Sequence, residues 1–195
     1  AYFKDLNLRW LLVEFLIFGF IFSGFTSGFA LFAERRFTWD GHAFGPREVG
    51  VLFTYSGFLG LILQGFLLGR LVKAFGEAKL VWAGFLSMAV GYGVLAFANS
   101  IPLLVLASTI GSFGSGVIRP ALTALVSRVT DARDQGAVLG ATQSLMSMGQ
   151  IVAPLFSGWI IGAASRDIQY LAFWGIWRSV LAVLGLLVRS FCHEK

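Results

Sequence analysis

The 195-residue sequence is 57% hydrophobic, with 20 Phe and 24 Gly, and only 13% of its residues are charged, about half the share of an ordinary soluble domain. The 15 Lys and Arg exceed the 10 Asp and Glu for a net charge of +5, yet the basic residues sit in short segments beside apolar runs, a membrane-topology pattern that points to no nucleic-acid partner. One cysteine, Cys192, excludes an internal disulfide framework.

The opening stretch, AYFKDLNLRW, has no basic n-region and no cleavage site. It does not read as a signal peptide, and it suggests the interior of a longer protein, entered from a linker. Six apolar runs follow at 9–33, 48–70, 79–99, 102–127, 137–163 and 168–189. Each is near the roughly 20 residues that cross hydrocarbon. Lipid offers backbone groups no partner, so each run is predicted to be a helix. Pro46 and Pro102 fall at the entrances of the second and fourth runs, where a missing N–H costs nothing. The connections are short, so neighbouring helices are antiparallel. Residues 1–195 therefore form one unit, an all-α membrane protein built as a six-transmembrane-helix bundle, with the lipid bilayer as its first partner. Lys4, Arg9, Arg70, Lys73, Lys79, Arg128, Arg133, Arg189 and Lys195 collect on the side of both termini, against Arg35, Arg36, Arg47 and Arg166 opposite. That excess places both ends in the cytoplasm.

Within the runs, polar residues stand out. Glu14 lies about 7–8 Å inside Arg9 at helical rise, and Arg119, in GSGVIRPALT, about 13 Å inside Arg128. Intramembrane charges mark pathways or pair with one another, although Arg119 has a long stem that can snorkel to the headgroups. Pro120 beside it loosens the backbone. Gln64, Gln143 and Gln150 suit hydrogen bonds between helices. Phe15, Phe18, Phe20, Phe22 and Phe25 suit packing or lipid, with one or two left for an apolar substrate. Arg178 falls near the middle of the last run, where the fifth run is the source of a partner unless the boundary of the run lies elsewhere. His42 and His193 have no metal-like companions, and the sequence contains no catalytic triad, zinc spacing or phosphate loop. It reads as a non-enzyme needing no cofactor and no metal.

Two segments carry a resemblance. GRLVKAFGEAKL, 69–80, resembles the loop G-x-L-x-D-R-x-G-R-[RK] of the major facilitator superfamily, with Gly69, Leu71, Gly76 and Lys79 matching. Lys73, Ala74 and Glu77 depart from it, as suits the degenerate copy between helices eight and nine. By chemistry alone the same segment is a basic turn, with Gly69 allowing close packing and Gly76 a tight turn. GQIVAPLFSG, 149–158, resembles the family pattern G-x-x-x-G-P-x-x-G-G, with Ala153 and Ser157 in place of glycines. Gly149, Ala153 and Ser157 share one face for close helix approach, Pro154 permits a bend, and Gly158 ends the pattern. The stretches SGFTSGFALFAERRF, REVGVLFTYSG and SRVTDARDQGAVLGATQS are similar to the drug:proton antiporters that include the tetracycline exporters.

The resemblance covers essentially the whole chain as helices seven to twelve, the C-terminal half of a twelve-helix fold with a 3+3 inverted repeat. Gly60, Gly65 and Gly69 stand 89 positions before Gly149, Pro154 and Gly158, as such a repeat requires of its second and fifth helices. The family's first and fourth helices line the cavity, which implies a pathway role for Glu14 and Arg119, with Gln143 flanking it. The implied partners are an N-terminal six-helix half, a small-molecule substrate and protons. The implied function is proton-coupled efflux by alternating access in a bacterial inner membrane. A permease or facilitator for a sugar or organic anion, and a non-transporting scaffold or receptor of the same fold, stay open. Topology is testable by cysteine labelling. Cysteines at 72–78 are expected to react only from the cytoplasmic side, and His42→Cys only from outside, with the reverse pattern overturning the orientation.

Overall fold

The computed structural model describes residues 6–163 and residue 180. Five long helices account for nearly all of it. Helix α1 spans Leu6–Arg36. A two-residue strand pair, β1 (Thr38–Trp39) and β2 (His42–Ala43), follows. Helix α2 spans Pro46–Phe75, helix α3 Glu77–Phe97, helix α4 Ile101–Val129 and helix α5 Gln135–Ala163. The first four are long and apolar enough to cross a membrane. The helices match the first five apolar runs but overrun them at several ends. The sixth run, with Arg178, lies outside the described residues.

Local chemistry explains the breaks. Asp40 and Gly41 both have positive φ, at 46° and 82°, the geometry of a two-residue hairpin turn. The hairpin lies against the bundle through Phe37, whose ring meets Phe32 at 6.0 Å and Phe44 at 6.1 Å. Pro46 opens α2, and the Glu48 carboxylate accepts a 2.9 Å bond from the Gly45 N–H, covering one of the orphan donors at a helix start. Between its α-helical turns, α2 contains a π-helical turn at Leu63–Leu67, closed by the Leu68 N–H on the Leu63 carbonyl. Gly76, at φ 80°, ends α2 and turns directly into α3.

The helices associate mainly as two pairs, α3 with α4 and α1 with α5. The α3–α4 seam is made of backbone. A Cβ at Gly114 would lie 2.5 Å from the Gly84 carbonyl oxygen, and one at Gly91 would lie 2.8 Å from the Gly111 nitrogen. Ser87 donates a 2.6 Å hydrogen bond across the seam to the Ile110 carbonyl. The α1–α5 seam closes at Gly149, where a Cβ would meet the Phe20 nitrogen at 2.9 Å, and one turn on, Ala153 faces Gly24. Helix α2 touches α4 more lightly, where Leu63 fills the space beside Gly116 and Tyr55 shares a 2.9 Å hydrogen bond with Thr109. Gly60 is the nearest backbone to Gly116, and the Gly19–Phe20 peptide is the nearest to Gly149. The two helix crossings thus relate α1 to α4 and α2 to α5, the relation expected of an inverted repeat. Gly69 has open space around it among the described residues, so the close packing expected there does not occur within this bundle.

Polar ties hold both ends of α3. The Arg36 guanidinium donates to the Ala98 and Ala96 carbonyls at 2.7 and 3.2 Å and to Asn99 Oδ1 at 2.7 Å, satisfying carbonyls that a helix end leaves open. At the other end, Arg128 donates to the buried Glu77 carboxylate at 2.6 Å. Glu77 departs from the family loop pattern and finds its partner on α4.

The seam predicts a contrast between two glycines. Gly114→Ala is expected to destabilise the protein by about 1–3 kcal/mol, the usual cost of overpacking. Gly140→Ala, at an exposed site with nothing within 4 Å, is expected to be neutral or to stabilise by up to about 1 kcal/mol, as Ala is the better helix former. Thermal unfolding in detergent reads both.

Candidate transport cavity

Helices α1 and α2 meet near the hairpin and stay apart over most of their length. The gap between them, floored by α4, is a cavity of about 1340 Å³. Its hairpin end is shut by Phe29 of α1 against Phe53 of α2, with ring centroids 5.5 Å apart. One wall is a stripe on α1: Phe18, Phe22, Phe25 and Phe29, spaced to share a helix face. Tyr92 of α3 closes behind Phe25, with centroids 4.8 Å apart. The floor is a stripe of small residues on α4 running from Ala107 and Ser108 to Arg119 and Pro120. Met146 and Gln150 reach the cavity from α5, and Gln64 and Gly65 from the π turn of α2.

The small hydroxyls on this surface are largely occupied. Ser108 donates to the Leu104 carbonyl at 2.9 Å, Ser112 to Ser108 at 2.7 Å and Thr123 to Arg119 at 2.9 Å. This is the back-bonding of Ser and Thr in membrane helices. Pro120 has no N–H, so the Gly116 carbonyl, also on the cavity face, lacks its usual donor.

Arg119 lies by helical rise about 16 Å from Ser108, at the end of the cavity away from the hairpin, and its side chain is exposed there. Glu14 sits one turn beyond Phe18 on the same face of α1, just past the described lining. It is 8% exposed, and its Oε2 has no hydrogen-bond partner among the described residues. Arg119 and Glu14 form no ion pair. Gln143 is exposed on α5 and is not a lining residue; Met146 and Gln150, further along the same face, are. Gln64 and Gln150, which the sequence suggests as ties between helices, face the cavity instead. Among the phenylalanines weighed from sequence, Phe15 is core and Phe20 meets Phe156 on α5, while Phe18, Phe22 and Phe25 line the cavity. The motif residues Leu71, Gly76 and Lys79 lie at the α2–α3 turn, Leu71 against the core and Lys79 exposed. Gly149, Ala153, Pro154 and Gly158 run along α5. No cluster of three or more His, Cys, Asp or Glu occurs among the described residues.

Comparison with known proteins agrees with this architecture. The profile of the Major Facilitator Superfamily matches residues 15–188. The class C tetracycline resistance protein of Escherichia coli is 31% identical over 152 residues, covering 69% of this chain and 36% of that protein. Multidrug resistance protein 2 of Bacillus subtilis is 29% identical over 165 residues, covering 80% of this chain and 39% of that protein. The chain thus spans well under half the length of these relatives. Among solved structures, that of the human organic anion transporter MFSD10 (TETRAN) superposes with a TM-score of 0.76 at 23% identity, covering 92% of this chain and 40% of that one.

The lone carboxyl oxygen of Glu14 has a measurable cost. A buried polar group without a partner costs about 1–3 kcal/mol. Glu14→Met is therefore expected to raise stability by about that amount, seen as a higher unfolding temperature in detergent. A fall of similar size would show that the carboxylate is paired in the whole protein.

Proposed function

Because the chain belongs to the major facilitator superfamily, a family of membrane-spanning transporters and not of enzymes, we propose that it is the C-terminal six-helix half of a secondary active exporter. On this reading the whole protein exchanges a small organic molecule for protons by alternating access. The observation that carries the proposal is the cavity between α1, α2 and α4. It is large enough for a drug-sized molecule, apolar on one wall, and provided with a few polar groups at one end, the usual make-up of a small-molecule site. The names of the tetracycline and multidrug resistance relatives favour efflux.

Other features take roles within the same proposal. The N-terminal half would cover the exposed apolar residues of α2 and α5, among them Phe58, Leu61, Ile151 and Leu155, and would approach α2 at Gly69. Glu14, a buried acid next to the aromatic wall, is the residue we assign to carrying the proton, since an intramembrane carboxyl is costly unless it has such a use. The π turn of α2 and Pro120 are the points where helices can bend as the cavity changes sides. Arg70, Lys73, Lys79, Arg128 and Arg133 gather at the end opposite the hairpin, which supports a cytoplasmic placement for that end and for both ends of the segment, in a bacterial inner membrane.

Everted vesicles carrying the full-length protein test this. Substrate addition is expected to release protons, a protonophore is expected to abolish uptake, and Glu14→Gln is expected to remove the proton release. Uptake that survives without a proton gradient and responds only to ATP overturns the proposal, and uptake that merely equilibrates identifies a facilitator.

A further inference from the structure

We infer that this cavity takes a flat aromatic anion, with the ring against the α1 wall and the negative group on Arg119. The inference rests on the transport reading of the same site and narrows its substrate class.

Charge is the first argument. Arg119 is the charged residue among the described lining, and no acid stands with it there. It forms no ion pair with Glu14, and Glu77 is engaged by Arg128. A guanidinium has five donors and no acceptor, and its planar fork fits a carboxylate with two parallel hydrogen bonds. A cation with no acid beside it among the described residues is unfavourable at this depth, and an anionic ligand relieves that cost, whereas a cationic one adds to it.

Shape is the second argument. Phe22, Phe25 and Phe53 present ring surface to the cavity, backed by the buried rings of Phe18, Phe29 and Tyr92. Aromatic side chains pair with another ring by stacking or edge contact beyond what their area alone gives. An aliphatic chain has no such preference, so the wall favours a ring over a lipid tail.

The polar inventory of the described lining disfavours a sugar. A sugar needs many donors and acceptors in register. Here Thr26, Ser108, Ser112 and Thr123 already donate to carbonyls of their own helices. The lining groups without such a bond are Ser56, Gln64, Tyr92, Arg119 and Gln150, a short set for a greasy slot, with Arg119 its one full charge among the described residues.

The test is isothermal titration of the full-length protein in detergent with four probes: 2-naphthoate, naphthalene-2-carboxamide, 2-naphthylmethylammonium and decanoate. Naphthoate is expected to bind most tightly. Arg119→Gln is expected to weaken naphthoate by about 30-fold, the scale of a hydrogen bond between charged groups, and to weaken the carboxamide far less. Arg119→Lys is expected to retain part of the anion preference, since it keeps the charge and loses the fork. If Arg119→Gln does not accumulate, the Lys variant decides, with naphthoate affinity weakened in support and unchanged in refutation. Ammonium binding as tight as naphthoate, or an anion preference that survives Arg119→Gln, overturns the inference. Decanoate equal to naphthoate overturns its aromatic part and identifies an aliphatic or lipid anion as the occupant. Naphthoate flux in vesicles separates the two readings. Arg119-dependent binding without proton-driven flux upholds this inference and rejects the transport proposal. Proton-driven flux of the ammonium, indifferent to Arg119, does the reverse.

Discussion

Lipid gives two helices no hydrophobic reason to associate, so a membrane bundle depends on how closely its backbones can approach. In this chain that constraint is met at the α3–α4 seam, where Gly84, Gly91, Gly111 and Gly114 bring main chain against main chain and Ser87 adds a hydrogen bond across it. The seam fixes the rotation of α4 about its own axis. With one face committed to α3, the face beside it, about a third of a turn round, carries Ser108, Ser112, Ser115 and Arg119. The seam glycines of α4 thus determine which way its arginine points.

The cavity follows from unequal pairing. Helices α1 and α5 are joined as tightly as α3 and α4, through Gly149 and Ala153, while α2 rests on α4 at a few points. The hairpin and its Phe32, Phe37 and Phe44 cluster hold α1 to α2 at one end only. Arg36 fastens that same end to the last turn of α3. At the other end the Glu77–Arg128 pair secures α3 to α4, and α2 is left free of α1. A space bounded by two firm helix pairs and one lightly held helix is wide at the lightly held side.

The helices were legible in the sequence because lipid leaves the backbone a single choice, and Pro46, Pro102 and Gly76 mark entrances and an exit with the chemistry expected of them. The depth of Arg119 could be read by counting residues. The cavity face of α1 could not. A helix that is apolar all round gives no moment to orient it, so Phe18, Phe22 and Phe25 look the same as Phe15 and Phe20 until α5 and α4 are placed. Gln64 and Gln150 read as helix contacts for the same reason: an amide in an apolar helix says that it needs a partner, without saying on which side. The Asp40–Gly41 hairpin was visible in principle, since Asp-Gly between extended residues is a strong turn signal, but it is overshadowed by the long apolar runs on either side. The tie between Glu77 and Arg128 spans 51 positions and becomes visible only once α3 and α4 are antiparallel.

The π turn in α2 places one more residue in a turn than an α-helix holds. Each residue of an α-helix advances the direction of its side chain by about 100°, so everything after Leu67 faces about that far around from where an unbroken helix would put it. Helix α2 therefore carries a spare residue in its own length. Deleting one position within Leu63–Leu67 would leave every backbone donor and acceptor with a partner and would turn the following eight residues, Leu68–Phe75, onto a new face. A change in gene length that would break most membrane spans would act here as a change of heading, re-aiming the basic end of α2 while the half that borders the cavity stays in place.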